Sequence, residues 1–344
     1  MTDFQPQSHI ALSDFAGQGA VYDGLMRTLK DGTTVHAYLI SGASGVGKKT
    51  LSHLMAQYLL CQGHNKPCDT CPACVQVKAG NHPDVIVVQP GVPISPDVSR
   101  DLKSIPVDEI RAVNELAGRH TFEGGQRVII IRQAEKMTPG AQNALLKTLE
   151  EPMGGTVFLL ITDSPELLLP TIISRCRALK LHPWTDEKVL SVLRAHGVEA
   201  HRCEKALHVA GGSIGRALSV AADEKYWERR QRVMQDFFAV KERSEILRIS
   251  TAWKDRKDDA EELLSDVEDM IRTLLLVRLG RRDESAASGY PQPWQRMAKN
   301  APLEAFTALT DAVRQVRTYR LNQVTWQAAV ERLLLRLMEE NNRW

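Results

Sequence analysis

The sequence predicts an α/β domain on a parallel sheet with a phosphate-binding loop, then a small helical domain and an all-α carboxy-terminal domain. Three observations carry this. Short, continuous apolar runs alternate with helical patterns in the first half of the chain, a glycine-rich loop ending in lysine directly follows one such run, and helical periodicity is almost unbroken from about residue 224.

The candidate strands are Ala37–Ile40, Val85–Val88, Val128–Ile131 and Val157–Ile161. Each is apolar throughout rather than alternating, as expected of strands covered on both faces in a parallel sheet. Between them lie helical patterns at Thr50–Leu60 and Val107–Ala117, and a further one with strong end signals. There Thr138 is an N-cap, Pro139 suits the first helical position, Pro152 follows the end, and Ala141, Ala144, Leu145 and Leu149 recur at helical spacing. The first domain is placed at residues 1–181, with a cysteine-bearing insert at 61–74. Residues 182–223 hold two amphipathic patterns, Asp186–His196 and His201–Ala210, followed by Gly211-Gly212-Ser213-Ile214-Gly215-Arg216, with no convincing strand. Residues 224–344 form the third domain, with helices expected at Ile246–Trp253, Ala260–Leu279, Pro302–Tyr319 and Trp326–Met338 and a loop at Gly280–Pro293.

Composition bounds the function. The chain has 344 residues, 43% hydrophobic and 25% charged, with 44 Lys and Arg against 42 Asp and Glu. That excludes a disordered tail protein and a disulfide-stapled miniature, and leaves room for two or three domains with their own cores. A formal net charge of +2 provides no whole-molecule attraction to nucleic acid, so phosphate contacts must come from local patches or an assembly. No apolar run reaches the roughly 18 to 20 residues that span a bilayer. The start Met1-Thr2-Asp3-Phe4-Gln5 has neither the basic region nor the apolar core of an export signal, so a cytoplasmic location is expected.

Gly42-Ala43-Ser44-Gly45-Val46-Gly47-Lys48 sits between a candidate strand and a helical pattern, the context a phosphate loop requires. Glycines let successive N–H groups converge on one anion, the helix N-terminus adds partial positive charge, and Lys48 reaches terminal phosphates. A plain glycine-rich turn is the alternative. The next position is Lys49 where a magnesium-binding hydroxyl belongs, and Thr50 is one residue late, about 100° around a helix. After the strand Val128–Ile131, where an NTPase places metal-holding acids, the chain has Arg132-Gln133, with Glu135 further on. Nucleotide binding, ATP or ADP, stays open at this point, whereas hydrolysis is not expected.

Cys61, Cys68, Cys71 and Cys74 form C-x6-C-x2-C-x2-C, four thiolates suited to a closed tetrahedral zinc site of structural type. His64 is a competing ligand, but the four cysteines already complete the set. Only Lys66 is basic inside this frame, which gives weak support to DNA binding by the module. Cys176 and Cys203 read as small buried residues.

Asn143-Ala144-Leu145-Leu146-Lys147-Thr148-Leu149-Glu150-Glu151-Pro152, followed by Ser174-Arg175-Cys176, resembles the bacterial clamp-loader subunits of the AAA+ class. His36-Ala37-Tyr38-Leu39, the four-cysteine insert and His82-Pro83-Asp84 strengthen the likeness. The resemblance implies an AAA+ P-loop domain, a helical lid and a helical collar. It also implies a component of a DNA-directed DNA polymerase holoenzyme, a nucleotidyltransferase, that helps load the sliding clamp on primed DNA beside gamma/tau motor subunits and a delta subunit. Lys49 and Arg132-Gln133 place the chain with the branch whose own nucleotide machinery is degraded. The resemblance puts an arginine finger acting in trans on Arg175, the lid arginine on Arg216 and the sensor position on Thr162. The alternative for Arg175 is a surface ion pair, and for Arg216 a helix N-terminal contact or an interdomain salt bridge. Arg111, on the pattern Val107–Ala117, is a candidate DNA contact or part of a solvated helix face. Two other functions compete: an active gamma/tau-type ATPase rescued by Glu135 or another acid, and a zinc-stabilised nucleic-acid adaptor.

Overall fold

The computed structural model describes residues 10–95, 98, 103–122, 125–152, 155–256, 259–321 and 324–344, so the Met1–Gln5 start lies outside the described residues. Strands β1 (Ala37–Ser41), β2 (Val85–Val88), β3 (Arg127–Ile131), β4 (Thr156–Thr162) and β5 (Arg177–Lys180) form one parallel sheet in the order β2-β3-β4-β1-β5. Every residue of β1, β3 and β4 is buried, which is why these central strands read as continuous apolar runs. Strand β5 escapes that criterion. It is an edge strand in which only Leu179 is buried, so Arg177-Ala178-Leu179-Lys180 looks polar in sequence.

The helices that accompany the sheet are α1 (Ala20–Lys30), α2 (Lys48–Leu60), α3 (Pro72–Ala79), α4 (Val107–Ala117), α5 (Pro139–Glu150) and α6 (Pro170–Ile173). Helix α5 ends where its signals say: the Thr138 hydroxyl accepts from the Ala141 N–H, Pro139 occupies the first turn, and Ala141, Leu145 and Leu149 are buried. They join Ile129, Ile131, Phe158 and Leu160 of the sheet and Ile110 and Val113 of α4 in one apolar core.

Along the rest of the chain follow α7 (Asp186–Ala195), α8 (Ala200–Ala210), α9 (Ile214–Ala222), α10 (Glu224–Val233), α11 (Arg243–Trp253), α12 (Ala260–Arg278), α13 (Gln292–Asn300), α14 (Leu303–Leu321) and α15 (Trp326–Arg343). The chain divides into two compact units, residues up to Val192 with Gly212–Arg216, and Leu193–Gly211 with Ala217–Trp344. Residues 182–223 are thus shared between the two. The expected loop Gly280–Pro293 contains a short turn at Glu284–Ala287 and the start of α13, whose Pro293 sits in the first turn, where its missing N–H costs nothing.

The second unit is all-α. A π-helical turn, Met234–Phe238, extends α10 and buries Phe237 and Phe238 side by side. Their rings meet Trp253 and Trp294 edge-on at centroid distances of 5.4 and 4.9 Å. Each buried indole N–H has an acceptor: Asp236 for Trp253, the Phe238 carbonyl for Trp294, and the Trp253 carbonyl for Trp326. Leu274, Val277, Val330, Leu333, Leu334 and Leu337 from the apolar stripes of α12 and α15 lie in this core. Among the described residues no helix is long and apolar enough to cross a membrane.

Thr138→Ala is expected to lower the unfolding free energy by about 1 kcal/mol. The measurement is a lowered urea midpoint with an unchanged denaturant slope.

Candidate functional site

Strands β3, β4 and β1 are neighbours, so the segments after them meet at the carboxy-terminal edge of the sheet, where ligands of open α/β sheets bind. After β1 the loop Gly42–Gly47 curls into α2. Lys48, the first residue of α2, is only 5% exposed and turns back on this loop. Its Nζ donates to the Gly42 carbonyl at 2.6 Å and the Ala43 carbonyl at 2.7 Å, and lies 2.6 Å from Asp163 Oδ1, just past β4. An ammonium has three N–H groups, and here all three have partners.

The loop is covered from a second direction. Gly45 has φ +75°, and a Cβ there would lie 2.2 Å from Ser213 Oγ. The Gly215 N–H donates to the Gly45 carbonyl at 2.9 Å, and the Arg216 N–H to Ser213 Oγ at 3.1 Å. Trp184 fastens the same segment: its indole N–H donates to the Val46 carbonyl at 2.9 Å, and its backbone N–H to the Gly212 carbonyl at 2.8 Å. The Phe15 ring packs edge-on against Trp184. Thus Gly42, Gly45, Gly47, Lys48 and the Arg216 segment are brought together, but against one another rather than around an open cradle. Thr162 is buried at the end of β4, where its hydroxyl accepts from the Ser164 N–H at 3.1 Å. Lys49 is exposed and Thr50 half-buried at the start of α2.

At the end of β3, Arg132 donates to Gln89 Oε1 at 2.9 Å and to His53 Nε2 at 3.2 Å. The His53 Nδ1 lies 2.9 Å from the Lys49 carbonyl, so the proton belongs on Nδ1 and the lone pair on Nε2 faces the guanidinium. Burial lowers the His53 pKa to about 4, reinforced by the charges of Arg132 and Lys49. A cation paired with a neutral imidazole therefore stands where an NTPase would hold its metal. Glu135 lies beyond the strand end, in the turn Ala134–Lys136.

Arg175 lies just before β5, at the opposite edge of the sheet. Its guanidinium is 2.5 Å from Glu150 Oε1 and donates to the Thr171 carbonyl at 2.9 Å. Arg111 is exposed on α4 and pairs with Asp108 one turn earlier at 2.9 Å. Asp163, His53, Ser213 and Glu150 were not singled out from the sequence as site residues. Glu150 stands inside the quoted run Leu149-Glu150-Glu151-Pro152, but its pairing is a tertiary fact with no local signal.

The sulfurs of Cys61, Cys68, Cys71 and Cys74 all lie within 4.8 Å of one another, with Cys68 and Cys74 3.9 Å apart. Tetrahedral thiolate coordination at about 2.3 Å puts sulfurs about 3.8 Å apart, so this set could hold a metal ion. Backbone N–H groups already point at the sulfurs: Gly63 and Cys68 at Cys61, Cys71 at Cys68, and Cys74 at Cys71. Hydrogen bonds from Thr70 and Cys71 lower the Cys68 thiol to about 5, while burial raises Cys74 to about 12. Gly63 is required by the packing, since a Cβ there would lie 2.8 Å from Cys68 Cβ. Cys203 is buried, as expected; Cys176 is partly buried and packs against the sheet core.

The site therefore defines a P-loop α/β protein whose phosphate loop is closed over its own side chains. A family model described as DNA polymerase III, delta subunit, matches residues 17–185. The chain is 29% identical to DNA polymerase III subunit delta' of Bacillus subtilis (strain 168) over 88% of this chain and 91% of that protein. It is 33% identical to subunit delta' of Haemophilus influenzae over 63% of this chain and 64% of that protein. Similarity extends to subunit tau of Bacillus subtilis, 31% identical over 54% of this chain and 31% of that protein. The chain is thus similar to DNA polymerase III delta' subunits over most of its length, and to a tau subunit of the same polymerase over about half of it.

Between pH 6.5 and about 4 the unfolded chain protonates His53 and the folded chain does not, so stability falls as pH drops through that window. The slope from this group is about 1.4 kcal/mol per pH unit. His53→Gln should flatten that part of the profile, read from urea unfolding at a series of pH values.

Proposed function

We propose that the protein is a hydrolysis-deficient delta-prime subunit that lends Arg175 in trans to the ATP held by a neighbouring gamma/tau motor subunit. In this reading it works with a delta subunit in an assembly that loads the sliding clamp on primed DNA in the cytoplasm. The observation that carries the reading is the pairing of Arg132 with neutral His53 after β3. Phosphoryl transfer depends on holding a metal and a water, and a guanidinium repels the first and does not activate the second.

The saturated Lys48 ammonium supports the same conclusion. For ATP or ADP to enter, Lys48 must leave Asp163 and Ser213 must lift from Gly45, so Gly42, Gly45, Gly47, Lys48, Thr50, Thr162 and Arg216 are read as a vestigial nucleotide site. Arg175 is suited to the work in trans because a guanidinium stays charged, is planar and can hold two phosphate oxygens. Arg111 stays a candidate DNA contact on the exposed face of α4. The cysteine set is assigned structural zinc, since four sulfurs leave no open position for water or substrate.

The purified chain should show no ATPase above background. In the assembly reconstituted with motor and delta subunits, Arg175→Ala should lower turnover at least about tenfold while assembly, followed by gel filtration, is retained. Vigorous turnover by the lone chain, abolished by Lys48→Ala, would instead make it a motor subunit. Metal analysis should find one zinc per chain, and Cys71→Ser should lose it and lower the melting temperature.

A further inference from the structure

We propose that Glu150 is the positioning residue of Arg175, holding the guanidinium in the orientation in which it meets the neighbour's phosphate. The inference rests on the reading of Arg175 as the arginine lent in trans and adds the device that aims it.

The geometry begins with α5, which grips the Arg175 segment at both ends. Near its start, Gln142 donates to the Leu167 carbonyl at 3.3 Å and accepts from the Leu169 N–H at 2.8 Å, fixing the entry to α6. At its last residue, Glu150 Oε1 sits 2.5 Å from an Arg175 terminal nitrogen. Between these two anchors α6 is only four residues long, with Ile172 fully buried, and Cys176 packs against the core on the far side of Arg175. The backbone on both sides of Arg175 is therefore seated, and the long side chain would be the loose part. Its other terminal nitrogen donates to the Thr171 carbonyl at 2.9 Å. Held at two points from two elements, the guanidinium plane is set, and among the described residues these are its partners. Three of its five N–H groups are left for an incoming phosphate.

The position of Glu150 argues that it serves something other than its helix. The C-terminus of a helix carries partial negative charge, and a carboxylate there is unfavourable. An ion pair this exposed contributes little to folding. What the contact does provide is lower conformational freedom for a four-torsion side chain that must arrive aligned, and misalignment of a catalytic group by about 1 Å costs on the order of a hundredfold in rate.

The test is the steady-state ATPase of the reconstituted clamp-loader assembly carrying Glu150→Ala, Glu150→Gln, Arg175→Ala or the Ala/Ala pair, with thermal melts of each variant. Glu150→Ala is expected to lower kcat about three- to tenfold with KM unchanged. Glu150→Gln keeps an acceptor oxygen and should stay within about twofold of the parent. The double variant should be no slower than Arg175→Ala alone, because a positioning residue has nothing to position once the arginine is gone. If Arg175→Ala slows the assembly but Glu150→Ala does not, or if the two losses multiply, the positioning role is wrong and the trans role of Arg175 stands. An assembly indifferent to Arg175→Ala overturns the trans role, and this inference with it.

Discussion

A single ammonium group organises the first unit. Lys48 is buried at the meeting point of β1, β4 and the loop between β1 and α2, and a buried cation must be matched. In a working phosphate loop the match is the nucleotide; here the chain supplies it from the Gly42 and Ala43 carbonyls and Asp163. With the charge satisfied internally, the loop can close, Ser213 can rest on Gly45, and Trp184 can cap the Val46 carbonyl. The same economy holds two strands away, where Arg132 takes its acceptors from Gln89 and His53 instead of from a metal-bound shell. The phosphate loop and the end of β3 are thus each held by the chain's own side chains.

Much of this was legible in the sequence, for identifiable reasons. Buried central strands must be apolar on both faces, so β1, β3 and β4 announce themselves, and a Thr-Pro start with a proline after the end marks α5 to the residue. The cysteine spacing carries much of its geometry, because ligands with only six and two residues between them stay close along the chain, from Cys61 at the end of α2 to Cys74 in the first turn of α3. What stayed hidden is of one kind. Strand β5 is an edge with one buried side chain, so its pattern is indistinguishable from that of a polar turn. The side-chain partners of Lys48, Arg132 and Arg175, namely Asp163, Gln89, His53 and Glu150, come from distant segments, and nothing local encodes them. The sequence shows Lys49 and Arg132 where a hydroxyl and an acid are usual; only the fold shows what Arg132 meets there.

The second unit follows a different rule. Its core holds large aromatic side chains, and each buried tryptophan among them brings an N–H that must be answered inside the protein. The π-helical turn at Met234–Phe238 brings consecutive phenylalanines to the same interior, and the Phe238 carbonyl, left without a helical partner at the helix end, accepts from the Trp294 indole. Periodicity read at 3.6 residues per turn cannot foresee that, since the register shifts inside the turn.

The distribution of indoles also makes the molecule optically informative. Of six tryptophans, five belong to the second unit and Trp184 alone to the first. That one ring is sandwiched between Phe15 and the covered loop, with its N–H on the Val46 carbonyl. Its fluorescence, taken as the difference between the parent and a Trp184→Phe chain, therefore reports on the surroundings of the loop without any label.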